Sequence, residues 1–132
     1  MHTERVFSGA PWEKQIGYCR AIKKANHIFI SGTTALDESK AVFKPGNAYA
    51  QTKRCLMVIE EALLQLKASL SDIVRIRMFV TDITQASEYG RAHGEFFNEF
   101  PPACSLIGIG SLILPGMLIE IEADAIVGYE TL

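Results

Sequence analysis

The chain has 132 residues, a formal net charge of −2 and 48% hydrophobic residues. This length predicts a single domain, residues 1–132, and the composition is that of a packed globular protein rather than a disordered chain. The basic residues are scattered and form no stripe, which argues against nucleic acid as the main partner.

The cysteines indicate a reducing, intracellular compartment. Cys19, Cys55 and Cys104 are odd in number and lack CxxC spacing, so they form neither a complete disulfide framework nor a zinc motif. The first residues lack the apolar segment of a signal peptide, and no apolar run approaches the ~20 residues of a membrane helix. We therefore expect a cytoplasmic protein without a bound metal or a membrane segment.

The first half of the chain predicts three strands and one helix. Short strands are expected at 4–8 and 18–24, and a stronger one at 27–33, where β-branched and aromatic residues end at a Ser-Gly pair. The second and third runs flank a polar turn and predict a hairpin. After a polar loop, Asn47 is placed to cap a helix of about five turns, whose apolar residues recur at spacings of three and four.

The second half predicts a strand, a second helix and two further strands. Residues 73–81 alternate in polarity, as a half-buried strand does. Thr84 is expected to cap a helix that runs to about Phe97, before two prolines that stop it. Two β-runs, at 104–111 and 117–127, then flank a Pro-Gly turn.

The element order β-β-β-α-β-α-β-β predicts an α+β fold, a two-layer sandwich whose helices cover one face of the sheet. The face of the sheet away from the helices stays open, and either set of alternate residues of the run 104–111 could lie on it. That face mixes aliphatic and charged groups, which favours burial between subunits through Arg–carboxylate pairs; solvated cross-strand pairing within one subunit is the alternative. Its expected residues are Arg75, Arg77, Phe79, Glu120, Glu122 and Asp124.

Six short segments carry a resemblance that spans nearly the whole chain. They are Gly-Tyr-Cys-Arg-Ala at 17–21, Phe-Ile-Ser-Gly-Thr at 29–33, Met-Phe-Val-Thr-Asp-Ile at 78–83, Phe-Phe at 96–97, Pro-Ala-Cys-Ser at 102–105 and Ile-Glu-Ile-Glu-Ala at 119–123. In this order and at near-matching spacing, they resemble the RidA/YjgF family of reactive intermediate deaminases. The resemblance implies a chorismate-mutase-like fold and a homotrimer with ligand clefts between subunits. It also implies cofactor-free hydrolysis of imine or enamine acids to keto acids and ammonia.

One position departs from the deaminases of that family. They carry an arginine after the Pro-Ala pair, which binds the substrate carboxylate, whereas this chain has Cys104. The run Ser-Gly-Ala-Pro-Trp-Glu at 8–13 also indicates a divergent subgroup, and Trp12 and Glu13 could line the rim of the cleft. Ordinary imino acid deaminase activity is therefore open to question.

Glu120 is the predicted catalytic residue. Its counterpart in the family holds the water or the substrate nitrogen, and the reaction needs a carboxylate that orients water and transfers a proton. The structural alternative is a cross-strand ion pair with Arg75 or Arg77.

The predicted ligand-binding residues surround the same cleft. Tyr18 matches a ligand-contacting tyrosine of the family, and backbone amides at Ser31 and Gly32 could hold a ligand oxygen. The alternatives are a core or interface aromatic at position 18 and a plain turn glycine at position 32. Cys104 would line the cleft, and Arg20 could substitute for the missing arginine unless strand parity turns it outward.

Two functions remain open from the sequence. The first is an enzyme, a cofactor-free imine or enamine deaminase, in which Glu120 directs water. The second is a non-catalytic, ligand-binding or regulatory trimer that keeps the cleft and has lost the chemistry. Both take a small carbonyl or carboxylate compound as ligand.

Overall fold

The computed structural model describes residues 2–128. Its strands and α-helices follow the predicted order β-β-β-α-β-α-β-β, which confirms the α+β fold. The bounds are β1 Thr3–Val6, β2 Ala21–Lys24, β3 His27–Thr34, α1 Ala48–Gln65, β4 Ile73–Val80, α2 Ala86–Phe97, β5 Ala103–Gly108 and β6 Ile119–Ile126.

The six strands form one mixed sheet in the order β1-β2-β3-β6-β4-β5. The pair β4–β5 is parallel and is connected through α2, while the other neighbours are antiparallel. The last strand in the sequence, β6, therefore lies near the centre, between β3 and β4. Because β4 separates β5 from β6, the Pro-Gly turn at 115–116 does not close a hairpin.

The core lies between the sheet and the two helices. The buried stripe of α1 includes Cys55 and Ile59, and Asn47 caps this helix as predicted, since its side chain accepts a hydrogen bond from the backbone N–H of Ala50 at 2.9 Å. The acidic residues of β6 are only half buried. The residues that alternate with them are fully buried: Ile119, Ile121, Ala123 and Ala125.

Ser105 and Ile107 of β5 lie on the open face of the sheet, because they pair with the open-face residues of β4. The sequence left open which set of alternate residues of this run faces that way, and the structure decides for this set. Arg77 lies 3.3 Å from a carboxylate oxygen of Glu122 and 3.5 Å from one of Asp124. These two acids therefore share one arginine across strands within one chain, and Arg77 is paired with them rather than with Glu120.

The expected strand at 18–24 is shorter in the structure. Regular pairing between β2 and β3 ends at Ala21 and Ile30. Beyond this point the register of β3 shifts between Ile30 and Thr33, which is a β-bulge. Residues 18–20 therefore lie beside the bulge rather than in a regular ladder.

The prediction that Thr84 caps the second helix is wrong. Asp82 accepts hydrogen bonds from both the backbone N–H and the hydroxyl of Thr84. It thereby caps a single 3₁₀ turn, Ile83–Gln85, and α2 begins after that turn, at Ala86. The reason is that Thr84 uses its hydroxyl as a donor to Asp82, two residues before it.

Candidate functional site

A cleft of about 760 Å³ lies beside the bulged end of β3. Residues of β3 and β6 line it together with the N-terminal segment and α1. Four of the residues predicted from the sequence meet there: Tyr18, Arg20, Gly32 and Glu120.

Glu120 enters the cleft at the junction of three strands. It pairs with Thr34 on β3 and with Phe79 on β4. Its side chain lies against Gly32, where an added Cβ would be 2.6 Å from the carboxyl carbon of Glu120 and 3.1 Å from its Cγ. The missing side chain at Gly32 therefore leaves the space that the Glu120 carboxyl occupies.

The surroundings of Glu120 favour its protonated form. Burial is the largest effect that raises the pKa of this carboxyl, and the neighbouring Glu122 raises it further. Arg20 acts in the opposite direction but does not cancel them. A carboxyl with a raised pKa can exchange a proton closer to neutral pH, as a general acid–base catalyst must.

Arg20 is turned inward and is only 4% exposed. Its Nε–H donates to Oε2 of Glu13 at 3.1 Å, and Nη1 donates to the carbonyl of Gly32 at 2.6 Å and to Oγ1 of Thr33 at 3.0 Å. Nη2 donates to the hydroxyl of Tyr18 at 3.3 Å. The guanidinium therefore holds the bulge of β3 in place and adds charge to the cleft wall, with most of its donors committed.

Glu13 is the buried counterion of Arg20, and it is also 4% exposed. It accepts hydrogen bonds from the backbone N–H of Ser8 at 3.0 Å and from the Ser8 hydroxyl. Burial alone would raise the pKa of Glu13, but the bonds from Ser8 and Arg20 outweigh it and hold this pKa below the usual carboxyl value. Trp12 lines the cleft as expected, whereas Glu13 points inward.

Ser31 is committed to the backbone of the preceding segment. Its hydroxyl donates to the carbonyl of Cys19 at 2.8 Å, and its amide donates to the carbonyl of Arg20 at 3.0 Å. Neither group is available to a ligand in this arrangement. The contribution of Ser31 is therefore to shape the bulge beside Gly32.

Cys104 is exposed on the edge strand β5, outside the cleft of its own chain. It pairs with the buried Ile76, so it lies on the helix-covered face of the sheet. Partial burial raises the pKa of its thiol, which keeps it protonated at neutral pH. A role for Cys104 at a cleft would need a second subunit.

The outer side of α1 is the part of the site that sequence reasoning missed. Arg54, Met57, Glu61 and Leu64 all line the cleft, although α1 was predicted only as a packing element. The available signal was that Met57 and Leu64 are large and apolar but lie outside the buried stripe of the helix.

The described part of the chain offers no ready metal site. Among residues 2–128, no three His, Cys, Asp or Glu side chains are grouped so that they could bind a metal ion. In the same range, every helix is too short or too polar to cross a bilayer.

The family to which the chain belongs is decided by comparison with the sequence profiles of known families. The sequence profile of the family described as Endoribonuclease L-PSP matches residues 10–127, from the N-terminal segment to the end of β6. The chain belongs to the RidA/YjgF family. The resemblance seen in the six short segments is thereby confirmed.

Individual relatives agree with this assignment. The chain is similar to the 3-aminoacrylate deaminase RutC of Acinetobacter baylyi, at 34% identity over 108 residues, 82% of this chain and 85% of that one. It is also 33% identical to a RutC family protein of Pyrococcus abyssi, over 85% of this chain and 88% of the other.

A solved structure matches the fold of this RidA/YjgF chain. A member of the YjgF/YER057c/UK114 family from Mycobacterium tuberculosis superposes with a TM-score of 0.86 at 38% identity, covering 96% of this chain and all of that one. The expected chorismate-mutase-like architecture, one mixed sheet with two helices, is thus confirmed.

Proposed function

We propose that this RidA/YjgF protein hydrolyses reactive imines or enamines in the cleft, with Glu120 as the catalytic residue. The observation that carries the proposal is the placement of the Glu120 carboxyl. It lies half buried against Gly32, with a raised pKa, where a bound C=N group and a water molecule could both reach it.

The chemistry needs only proton transfer and addition of water. Glu120 as carboxylate accepts a proton from water while the oxygen adds to the imine carbon, and the imine nitrogen takes up a proton from solvent to give a carbinolamine. The protonated Glu120 then returns its proton to the nitrogen as the C–N bond breaks. The carbinolamine O–H loses its proton to solvent, which leaves a carbonyl compound and an amine or ammonia. No electrons are exchanged, so the step needs no redox cofactor.

The relatives support this class of reaction. The name of the Acinetobacter baylyi protein, 3-aminoacrylate deaminase, describes loss of ammonia from an enamine. From this name we extend to this chain only the type of bond that breaks, the C–N bond.

We further propose that the protein works as a homotrimer in the cytoplasm, with clefts completed between subunits. The support for the trimer is twofold: Cys104 lies away from the cleft of its own chain, and the open face of the sheet exposes apolar side chains such as Phe29 and Ile107. The support for the location is that all three cysteines are free.

A second candidate function is ligand binding without catalysis. Two observations favour it. Cys104 provides no guanidinium for a substrate carboxylate, and Arg20 directs most of its donors to protein groups. Such a protein would keep the cleft as a sensor or carrier site.

A hydrolysis assay with two imine sources separates these functions. A threonine dehydratase supplies an imino acid, an amine oxidase supplies uncharged imines, and release of the carbonyl compound is followed with and without the protein. We expect acceleration with at least one source, and a loss of about 10²–10⁴-fold in Glu120→Gln, which is typical of a removed general acid–base group. Glu88→Gln, at a carboxyl on α2 that is paired with Arg91 and does not line the cleft, is the matched control and should retain activity.

The pH dependence gives a second readout. The rate should fall as the pH drops through the pKa of Glu120, at a pH above the usual carboxyl value of 4.5. Because the pKa of Glu120 is raised in the folded state, the stabilising contribution of its protonated carboxyl is lost as the pH rises through that pKa. The free energy of unfolding of Glu120→Gln at pH 7 should therefore be no lower than that of the original protein. If neither imine source is hydrolysed faster, the enzymatic proposal is wrong and the binding function stands.

A further inference from the structure

The cleft is larger and more apolar than a small imino acid requires. Its volume of about 760 Å³ is within the ~300–1,000 Å³ range of sites that take drug-sized ligands. Five large apolar side chains that line it remain 51% to 69% exposed in the single chain, which is unfavourable unless a ligand or a neighbouring subunit covers them. They are Phe7, Ile16, Met57, Leu64 and Ile113.

The cations of the cleft are engaged by protein groups. Arg20 is paired with the buried Glu13. Lys40 donates its ammonium group to the carbonyl of Ser8 at 3.2 Å. Arg54 donates its Nε–H to a backbone carbonyl at 2.9 Å, and its guanidinium lies over an aromatic ring. A ligand carboxylate would have to compete with these partners for each positive charge.

Carboxyl groups outnumber the cations along the same walls. Most of them lie on α1 and on the loop after β3, around the apolar side chains. A negatively charged ligand would therefore meet net repulsion as it enters. The lining carboxyls are Asp37, Glu38, Glu60, Glu61 and Glu120.

We infer, building on the proposed hydrolysis, that the substrate is an uncharged imine with a bulky apolar substituent rather than a small imino acid. The C=N group lies at Glu120 and the apolar substituent covers the side chains of the N-terminal segment and α1. Imines without a carboxylate arise when amines, rather than amino acids, are oxidised. The reaction that supplies this substrate therefore belongs to the class of amine oxidations.

The inference is tested by binding of the carbonyl products, which does not depend on catalysis. Pyruvate, benzylpyruvate and benzylacetone form a matched series that is small and anionic, bulky and anionic, and bulky and uncharged. Trp12 is the single tryptophan of the chain and lines the cleft, so its fluorescence reports occupancy. We expect benzylacetone to bind about tenfold more tightly than benzylpyruvate, and pyruvate to bind most weakly.

A pair of variants links this preference to the cleft. Leu64→Gln places an amide on the exposed apolar wall and should weaken benzylacetone binding by about threefold or more. Ile83→Gln makes the corresponding change at a residue that is 50% exposed and does not line the cleft, and it should leave binding unchanged.

Three results would overturn the inference. The first is that pyruvate binds as tightly as benzylacetone. The second is that benzylacetone gives no saturable signal up to its solubility limit. The third is that Leu64→Gln changes the oligomeric state of the protein while benzylacetone binding is kept. The last would assign the apolar wall to a subunit contact. Imino acid hydrolysis that depends on Glu120, together with a preference for pyruvate, would leave the proposed function intact and reject only the substrate class.

Discussion

Gly32 matters because of the space it leaves for Glu120. Its backbone is not in the left-handed region, so an alanine there would meet no conformational strain. What the added methyl group would meet is the Glu120 side chain, whose Cγ lies 3.1 Å from the ideal Cβ position. That side chain is flexible enough to move aside, and the fold should tolerate the change better than the site.

We therefore expect Gly32→Ala to lower the rate of imine hydrolysis by at least about tenfold while the free energy of unfolding changes by less than ~1 kcal/mol. Steady-state kinetics and denaturant unfolding measure the two effects separately. Gly108→Ala is the control, since its Cβ would meet Ile83 at an ordinary contact distance of 3.6 Å. Unchanged kinetics in Gly32→Ala would show that the position of the Glu120 carboxyl does not limit the reaction.

Arg20 and Glu13 show how one buried pair determines what the cleft can bind. Removing either partner would leave an unpaired buried charge, which is far more destabilising than the pair itself is stabilising. The pair therefore keeps the guanidinium directed at the β3 bulge. A ligand carboxylate would therefore compete with protein groups for the donors of Arg20.

Among the secondary-structure elements, α1 organises the loops around the site. Gln51 is fully buried on this helix and bonds to two loops. Its amide nitrogen donates to the carbonyls of Lys44 at 3.2 Å and Gly116 at 2.8 Å, and its amide oxygen accepts from the N–H of Leu118 at 2.9 Å. The second of these loops also carries Ile113, so the helix positions part of the apolar wall.

Gln51→Leu should lower the free energy of unfolding by about 1–3 kcal/mol, because it removes the hydrogen-bond partner of the Gly116 carbonyl and of the Leu118 N–H. Urea unfolding monitored by circular dichroism measures this change. Gln65→Leu is the matched control on the exposed side of the same helix, and it should change stability by less than ~0.5 kcal/mol. Equal effects of the two substitutions would contradict the role assigned to the Gln51 side chain.

At the scale of the whole molecule, the open face of the sheet has the character of a subunit interface. Phe29 is 49% exposed near the centre of this face and pairs with Asp124, while Arg77 is already paired with both Glu122 and Asp124. An apolar surface with internally paired charges is suited to close contact with other copies of the chain.

Phe29→Glu should convert the proposed trimer into monomers and abolish hydrolysis at the shared clefts, because it places a carboxylate beside Asp124 in the contact. Sedimentation equilibrium gives the mass, and circular dichroism confirms that the chain still folds. Lys67→Glu, a change of charge at an exposed residue after α1, should leave the mass unchanged. A monomeric protein before any substitution would contradict the trimer and the shared clefts together.

Much of the fold could be predicted from the sequence because its signals are local. Alternating polarity identified β4 and β6, the spacing of apolar residues identified α1, and the Asn47 cap gave its start within one residue. Two of the errors, the early start of β2 and the Thr84 cap, arose where a bulge in β3 and the Asp82 side chain replaced the expected local pattern.

The site was predicted only in part because its contacts join residues far apart in the chain. The sequence by itself determined that Tyr18, Gly32 and Glu120 belong near one cleft, because all three lie in segments that match motifs of the family. In the structure these three residues line the same cleft. Only the tertiary structure decided that β6 lies between β3 and β4 and that Arg20 turns inward to Glu13. The outer side of α1 likewise became a wall of the cleft through packing, because periodicity indicates which face of a helix is buried but not which segment lies beside the other face.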